Sequence, residues 1–112
     1  MAFKKKLDIF LDDAYNRVKK IYGEDLDKMI LYGSYARGDY RDDSDIDIML
    51  LVSCGKDIIT EQRENLISVM GDLCLDYEIY PSIKVNNTDY FNRWKNSMPL
   101  FKSIEKDGII YA

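Results

Sequence analysis

The 112-residue chain contains no histidine, two cysteines, two prolines and one tryptophan. Without histidine there is no Ser-His-Asp or Cys-His nucleophile and no His-ligated zinc, and Cys54 and Cys74 alone cannot close a four-thiolate site. Chemistry is left to carboxylates, hydroxyls and cations. No apolar run reaches the ~18 residues that suggest a membrane span. The basic start, MAFKKKLDIF, is interrupted by Asp8 and lacks the apolar core and cleavage site of a signal peptide. These features predict a cytoplasmic protein with reduced thiols, with no membrane partner. A basic surface is also missing: the net charge is −4, which argues against direct, sequence-independent binding to nucleic acid. The length fits one domain, residues 1–112, organised around one core.

Hydrophobic residues make up 46% of the chain, enough for such a core, and their spacing predicts its elements. Phe3, Leu7, Phe10, Leu11, Ala14, Val18 and Ile21 recur at intervals of three and four and predict an amphipathic helix ending near Gly23. Met29–Tyr32 predicts a short buried strand. A polar loop follows from Gly33 to Ser44, with one helical turn capped by Ser34. Residues 45–52, DIDIMLLV, predict a strand with Asp45, Asp47, Met49 and Leu51 on one face and Ile46, Ile48, Leu50 and Val52 on the other.

Residues 57–71 predict a second long helix with Gly71 as its stop. Residues 73–85, LCLDYEIYPSIKV, predict an extended segment that sets Asp76 and Glu78 on one face, with Pro81 marking an edge position or a bulge. Two short helices and an apolar tail, residues 109–111, complete the chain. The order describes a small α/β or α+β domain, a sheet of a few strands backed by helices.

Chemistry concentrates in residues 31–52, LYGSYARGDYRDDSDIDIMLLV. Gly33 to Gly38 has the glycine spacing of a P-loop, but Asp39 and Tyr40 stand where Lys and Ser/Thr are required. Asp43, Asp45 and Asp47 match the opening of a calcium EF-hand, but Ile48 replaces its glycine and Cys54 its bidentate glutamate. What remains is a Gly-Ser turn followed by two same-face aspartates opening a buried strand. Like charges about 5 Å apart repel by roughly 3 kcal/mol at an effective dielectric of 20. A divalent cation reverses the sign of that interaction.

Magnesium is commonly held by one or two carboxylates together with substrate phosphates, and a Gly-Ser turn lets backbone N–H groups and the Ser34 hydroxyl approach a phosphate closely. A two-metal arrangement would serve both the attacking and the leaving oxygen of an in-line displacement, and needs no histidine. A third carboxylate usually supports the attacking side, and Asp76 or Glu78 is available if the two strands are neighbours. Arg37 has two open readings: a phosphate contact, or a counter-charge for Asp39, Asp42 or Asp43.

Gly33-Ser34 followed by Asp45-Ile46-Asp47 resembles the G-S-x-D-x-D signature of the polymerase-beta-like nucleotidyltransferases. GSYARG with SDIDIMLLV, in a chain of this length, resembles more narrowly the minimal nucleotidyltransferases, often encoded beside a helical partner of the HEPN class. The resemblance covers most of the chain and is concentrated in residues 31–52. It implies the polymerase-beta-like nucleotidyltransferase core. Nucleotide binding then falls to Gly33, Ser34 and Arg37, and catalysis and two magnesium ions to Asp45, Asp47 and Glu78, with Asp76 as the alternative third acid. It further implies ATP as substrate, AMP transfer to a tyrosine hydroxyl of a HEPN toxin, and an antitoxin role. Two alternatives stay open: a non-catalytic module that neutralises its partner sterically, and a small-molecule nucleotidyltransferase acting as a homodimer.

Overall fold

The computed structural model describes residues 2–41 and 43–112, with the side chains of residues 2–5 outside the described set. Helix α1, Ala2–Tyr22, follows the predicted periodicity, with Phe10, Ala14 and Val18 fully buried along one stripe. A 3-10 turn, Gly23–Asp25, leads into β1, Leu26–Tyr32, which starts three residues earlier than its apolar run predicts. The short helix α2, Ser34–Arg37, is followed by β2, Ile46–Val52, α3, Lys56–Glu61, and α4, Arg63–Tyr77. Then come β3, Pro81–Asn87, α5, Thr88–Trp94, α6, Pro99–Asp107, and β4, Ile109–Ile110.

The strands form one mixed sheet in the order β3-β2-β1-β4. β1 runs antiparallel to β2 and β4, whereas β2 and β3 are parallel, joined by the α3–α4 crossover that a parallel pair requires. Both faces of the sheet are covered. Ile46, Ile48, Leu50 and Val52 pack with α1 and α4 residues such as Phe10, Val18 and Leu73, while Met49 and Leu51 pack with Phe91, Phe101 and Ile104 of α5 and α6. This split reproduces the two faces expected for the DIDIMLLV strand. It is the α+β fold expected from the element order.

Three local expectations are corrected. Gly33, not Ser34, caps α2, and Ser34 is the first helical residue. The second long helix neither runs unbroken to Gly71 nor stops there. It breaks at Gln62, and α4 then continues through Gly71 to Tyr77. Residues 73–77 are therefore helical, not extended. Leu73 and Tyr77 are four apart, a spacing shared by a strand face and a helix face, so alternation alone could not separate the two. Burial decides: Leu73 is 0% exposed, whereas Leu75, on the same face of the predicted strand, is 81% exposed.

Pro81 opens β3, a position where its missing N–H costs no ladder bond, and β3 is indeed an edge strand. The apolar tail supplies β4, with Ile110 opposite Ile30 and Ile109 opposite Leu31. Asn87 caps α5 by accepting from the Tyr90 backbone N–H at 3.1 Å, and Pro99 is the first residue of α6. No described helix is long and apolar enough to cross a membrane.

Candidate active site

At the start of β2 the backbone sets one row of residues across three strands, with Tyr32 of β1, Asp47 of β2 and Ser82 of β3 side by side. Asp47 is partly buried at the end of the face covered by α5 and α6. Asp45 precedes the strand and is exposed. Between β1 and α2 the chain must turn sharply, and Gly33 does so at φ 73°, ψ −153°, a region essentially reserved for glycine. A methyl group built on Gly33 would collide with Asp47 Oδ2 and lie 3.1 Å from its Cγ. The turn and the carboxylate therefore share one cradle.

Ser34 and the rest of α2 follow at once, with the Ala36 and Arg37 N–H groups donating to the Gly33 carbonyl at 3.1 Å. Tyr35 and Tyr40 stack in parallel at 4.4 Å between ring centres, holding the polar loop back against α2. Arg37 takes up its counter-charge reading. Its Nε donates to Asp39 Oδ2 at 3.3 Å, an exposed and weak pair, and its charge also reaches Asp47. Of the other proposed counter-charges for Arg37, Asp42 lies outside the described residues.

Burial pushes the Asp47 carboxyl above the ordinary range, and the Asp45 charge pushes it the same way, while Lys84 and Arg37 oppose the rise. Asp47 raises its neighbour in turn: Tyr32 is driven to about 12, chiefly by burial and further by the Asp47 charge. A desolvated carboxylate beside a second one, with a glycine backbone against it, is an environment that a cation would relieve.

The third acid is corrected. Glu78 is not on a strand: it is the C-cap of α4, in the left-handed region at φ 55°, with its N–H donating to the Cys74 carbonyl at 2.9 Å. Asp76 belongs to α4 and accepts from Arg17 Nη2 at 2.9 Å, while Arg17 also pairs with Asp13, whose other oxygen accepts from the Tyr77 hydroxyl. This network ties α1 to α4. Neither Glu78 nor Asp76 is among the charges that act on Asp47, and among the described residues no three Asp, Glu or Cys side chains gather into a ligand set. On the strand beside Asp47, the residues facing the same way are Ser82 and Lys84, which lie inside the expected extended segment but beyond the two acids that drew attention to it.

The donor set thus fits a magnesium ion that Asp45 and Asp47 would hold together with phosphate oxygens. It does not supply the third carboxylate expected for a second ion. If Glu78 acts only as a strained cap, Glu78→Gly raises the unfolding free energy by about 1 kcal/mol and Glu78→Ala does not, because alanine keeps the left-handed penalty. Urea denaturation of the two variants checks this.

A family model described as nucleotidyltransferase domain matches residues 11–110. The chain is 31% identical over 101 residues to the "putative protein adenylyltransferase" MJ0604 of Methanocaldococcus jannaschii, covering 90% of this chain and 94% of the relative. It is 38% identical over 78 residues to a second, MJ0141 of the same organism, covering 69% of this chain and 65% of that relative. In fold it resembles a putative nucleotidyltransferase from Sulfolobus solfataricus, with a TM-score of 0.60 at 19% identity, over 98% of this chain and 85% of that one. It also resembles a chain of a toxin-antitoxin structure with AMP-PNP, with a TM-score of 0.50 at 19% identity, over 85% and 69% of the two chains. With the Gly-Ser turn and the two aspartates falling inside the matched region, the chain belongs to the nucleotidyltransferase family, among its minimal members.

Proposed function

We propose that the protein, as one domain spanning residues 1–112, is a magnesium-dependent adenylyltransferase that moves AMP from ATP to a tyrosine hydroxyl of a HEPN-class toxin and so acts as a cytoplasmic antitoxin. The observation that carries this reading is the cradle in which the Gly33 backbone abuts the Asp47 carboxylate, with Asp45 at the mouth of the same strand. The naming of two relatives as putative protein adenylyltransferases supports a protein acceptor. The fold shared with a chain of a toxin-antitoxin structure with AMP-PNP supports ATP as donor and a toxin as partner.

In this reading Gly33 and Ser34 receive the phosphates, because the glycine lets the backbone approach and the serine hydroxyl donates. Arg37, already loosely paired, exchanges Asp39 for a phosphate oxygen. Asp45 and Asp47 would hold magnesium, which when bound would supply charge neutralisation for the pyrophosphate leaving group. The tyrosine oxygen attacks the α-phosphorus, the bond to the bridging oxygen breaks, pyrophosphate leaves and the phenolic proton passes to solvent. An AMP group on the toxin adds bulk and negative charge where an RNA-binding site needs neither.

A second reading, a module that neutralises its partner by contact alone, draws on Ser82 and Lys84 standing where a third acid is expected. Intact-mass analysis separates the two. The protein is mixed with ATP, magnesium and a candidate HEPN toxin, alongside the Asp47→Asn variant. Transfer predicts one or more AMP masses on the toxin, absent with the variant; a stable complex with no added mass favours neutralisation by binding.

A further inference from the structure

Asp47 has two strand neighbours. On the β1 side stands Tyr32, buried and held protonated; on the β3 side stands Ser82, with Lys84 next on the same face. Lys84 does not point away along the edge. Its Nζ donates to Ser82 Oγ at 3.5 Å, which folds the ammonium back toward the row that contains Asp47, and among the charges acting on Asp47 it contributes the most. Beside the Asp45–Asp47 pair, then, the sheet offers a neutral hydroxyl and the positive charge of the exposed Lys84.

A second divalent ion bridging Asp47 on that side would need an anionic ligand from β3 and would sit against the Lys84 ammonium. We infer that this chain binds one divalent cation per nucleotide, through Asp45 and Asp47, because the β3 side of the site offers only a hydroxyl and an ammonium, Ser82 and Lys84, where a second ion would need a carboxylate. The inference rests on the nucleotidyltransferase reading of the site and specifies how its metal chemistry differs from the two-ion scheme.

The count of bound metal tests this without any turnover. The protein is saturated with α,β-methylene-ATP, whose α–β bridge cannot be cleaved, and Mn2+ bound per chain is counted by electron paramagnetic resonance. Wild type and Lys84→Met are expected to bind one. Ser82→Asp and Lys84→Glu, each placing a carboxylate on the β3 side, are expected to bind two; both positions are at a sheet edge, so two independent variants guard against one failing to fold. Two Mn2+ in wild type, or one in both carboxylate variants, overturns the inference while leaving the adenylyltransferase reading intact. A wild-type chain that binds neither Mn2+ nor the analogue overturns both, whereas a count of one with no AMP transferred to any toxin leaves the one-ion site standing and removes only the activity.

Discussion

Replacing Asp47 with Asn is expected to abolish transfer, by on the order of 10³-fold or more, and at the same time to make the free protein more stable at neutral pH. In the proposed reaction transfer is lost because the charge removed belongs to one of the two proposed metal ligands, and the other, Asp45, is exposed to solvent. The gain in stability follows from burial. The Asp47 carboxyl is raised above its ordinary value of 3.8, so the folded state holds that proton more tightly than the unfolded state does. Its contribution to stability is complete below the unfolded value and is lost as pH rises through the folded one.

Asparagine has no such ionisation. The variant is therefore expected to exceed wild type by about 1 kcal/mol near pH 7, or about 4–8 °C in Tm, with the difference fading as pH falls toward 4. Thermal unfolding at several pH values checks the sign. Saturating magnesium and nucleotide should reverse the order, since ligand binding stabilises only the chain that retains the site. A variant less stable than wild type at pH 7 would mean that Asp47 holds the fold together and is not strained by its surroundings.

Gly33→Ala is expected to cost both stability and activity. The backbone there, at φ 73° and ψ −153°, excludes a side chain, and the added methyl would collide with the Asp47 carboxylate. The conformational strain alone is on the order of 2 kcal/mol. Relief of the collision must move either the β1–α2 turn or Asp47, and a displacement of about 1 Å in a phosphoryl-transfer site costs roughly 10²-fold in rate. Gly38→Ala is the control. Gly38 also has a positive φ, 84°, but nothing lies within 4 Å of its added methyl. The control should lose stability for the same backbone reason while keeping most of its transfer. Equal losses of transfer in both variants would dissociate the Gly33–Asp47 contact from the chemistry.

The site core was legible because it is local. Gly33, Ser34, Asp45 and Asp47 fall within fifteen residues, and a period of two fixes which side of β2 Asp47 faces, with Asp45 just ahead of the strand. The same periodicity anticipated the two packing layers around Met49 and Leu50. The third acid was misread for the opposite reason: its place depends on where α4 ends. Leu73 and Tyr77 satisfy helix and strand spacing alike, and Gly71 is a plausible stop that α4 overrides because Leu73 is buried beyond it. Extending the helix to Tyr77 carries Asp76 onto the α1 face beside Arg17 and leaves Glu78 as a cap.

By itself, then, the sequence excluded histidine chemistry and set a Gly-Ser turn ahead of a buried strand that carries Asp47, with Asp45 just before it. Only the tertiary structure decided their company. Register between strands distant in sequence is set by packing over the whole sheet, and that register brings Ser82 and Lys84 beside Asp47, with Tyr32 on its other side. The electrostatic character of the site, with the Asp47 carboxylate between Asp45 and the Lys84 ammonium in charge, is therefore a property of the fold and not of the motif.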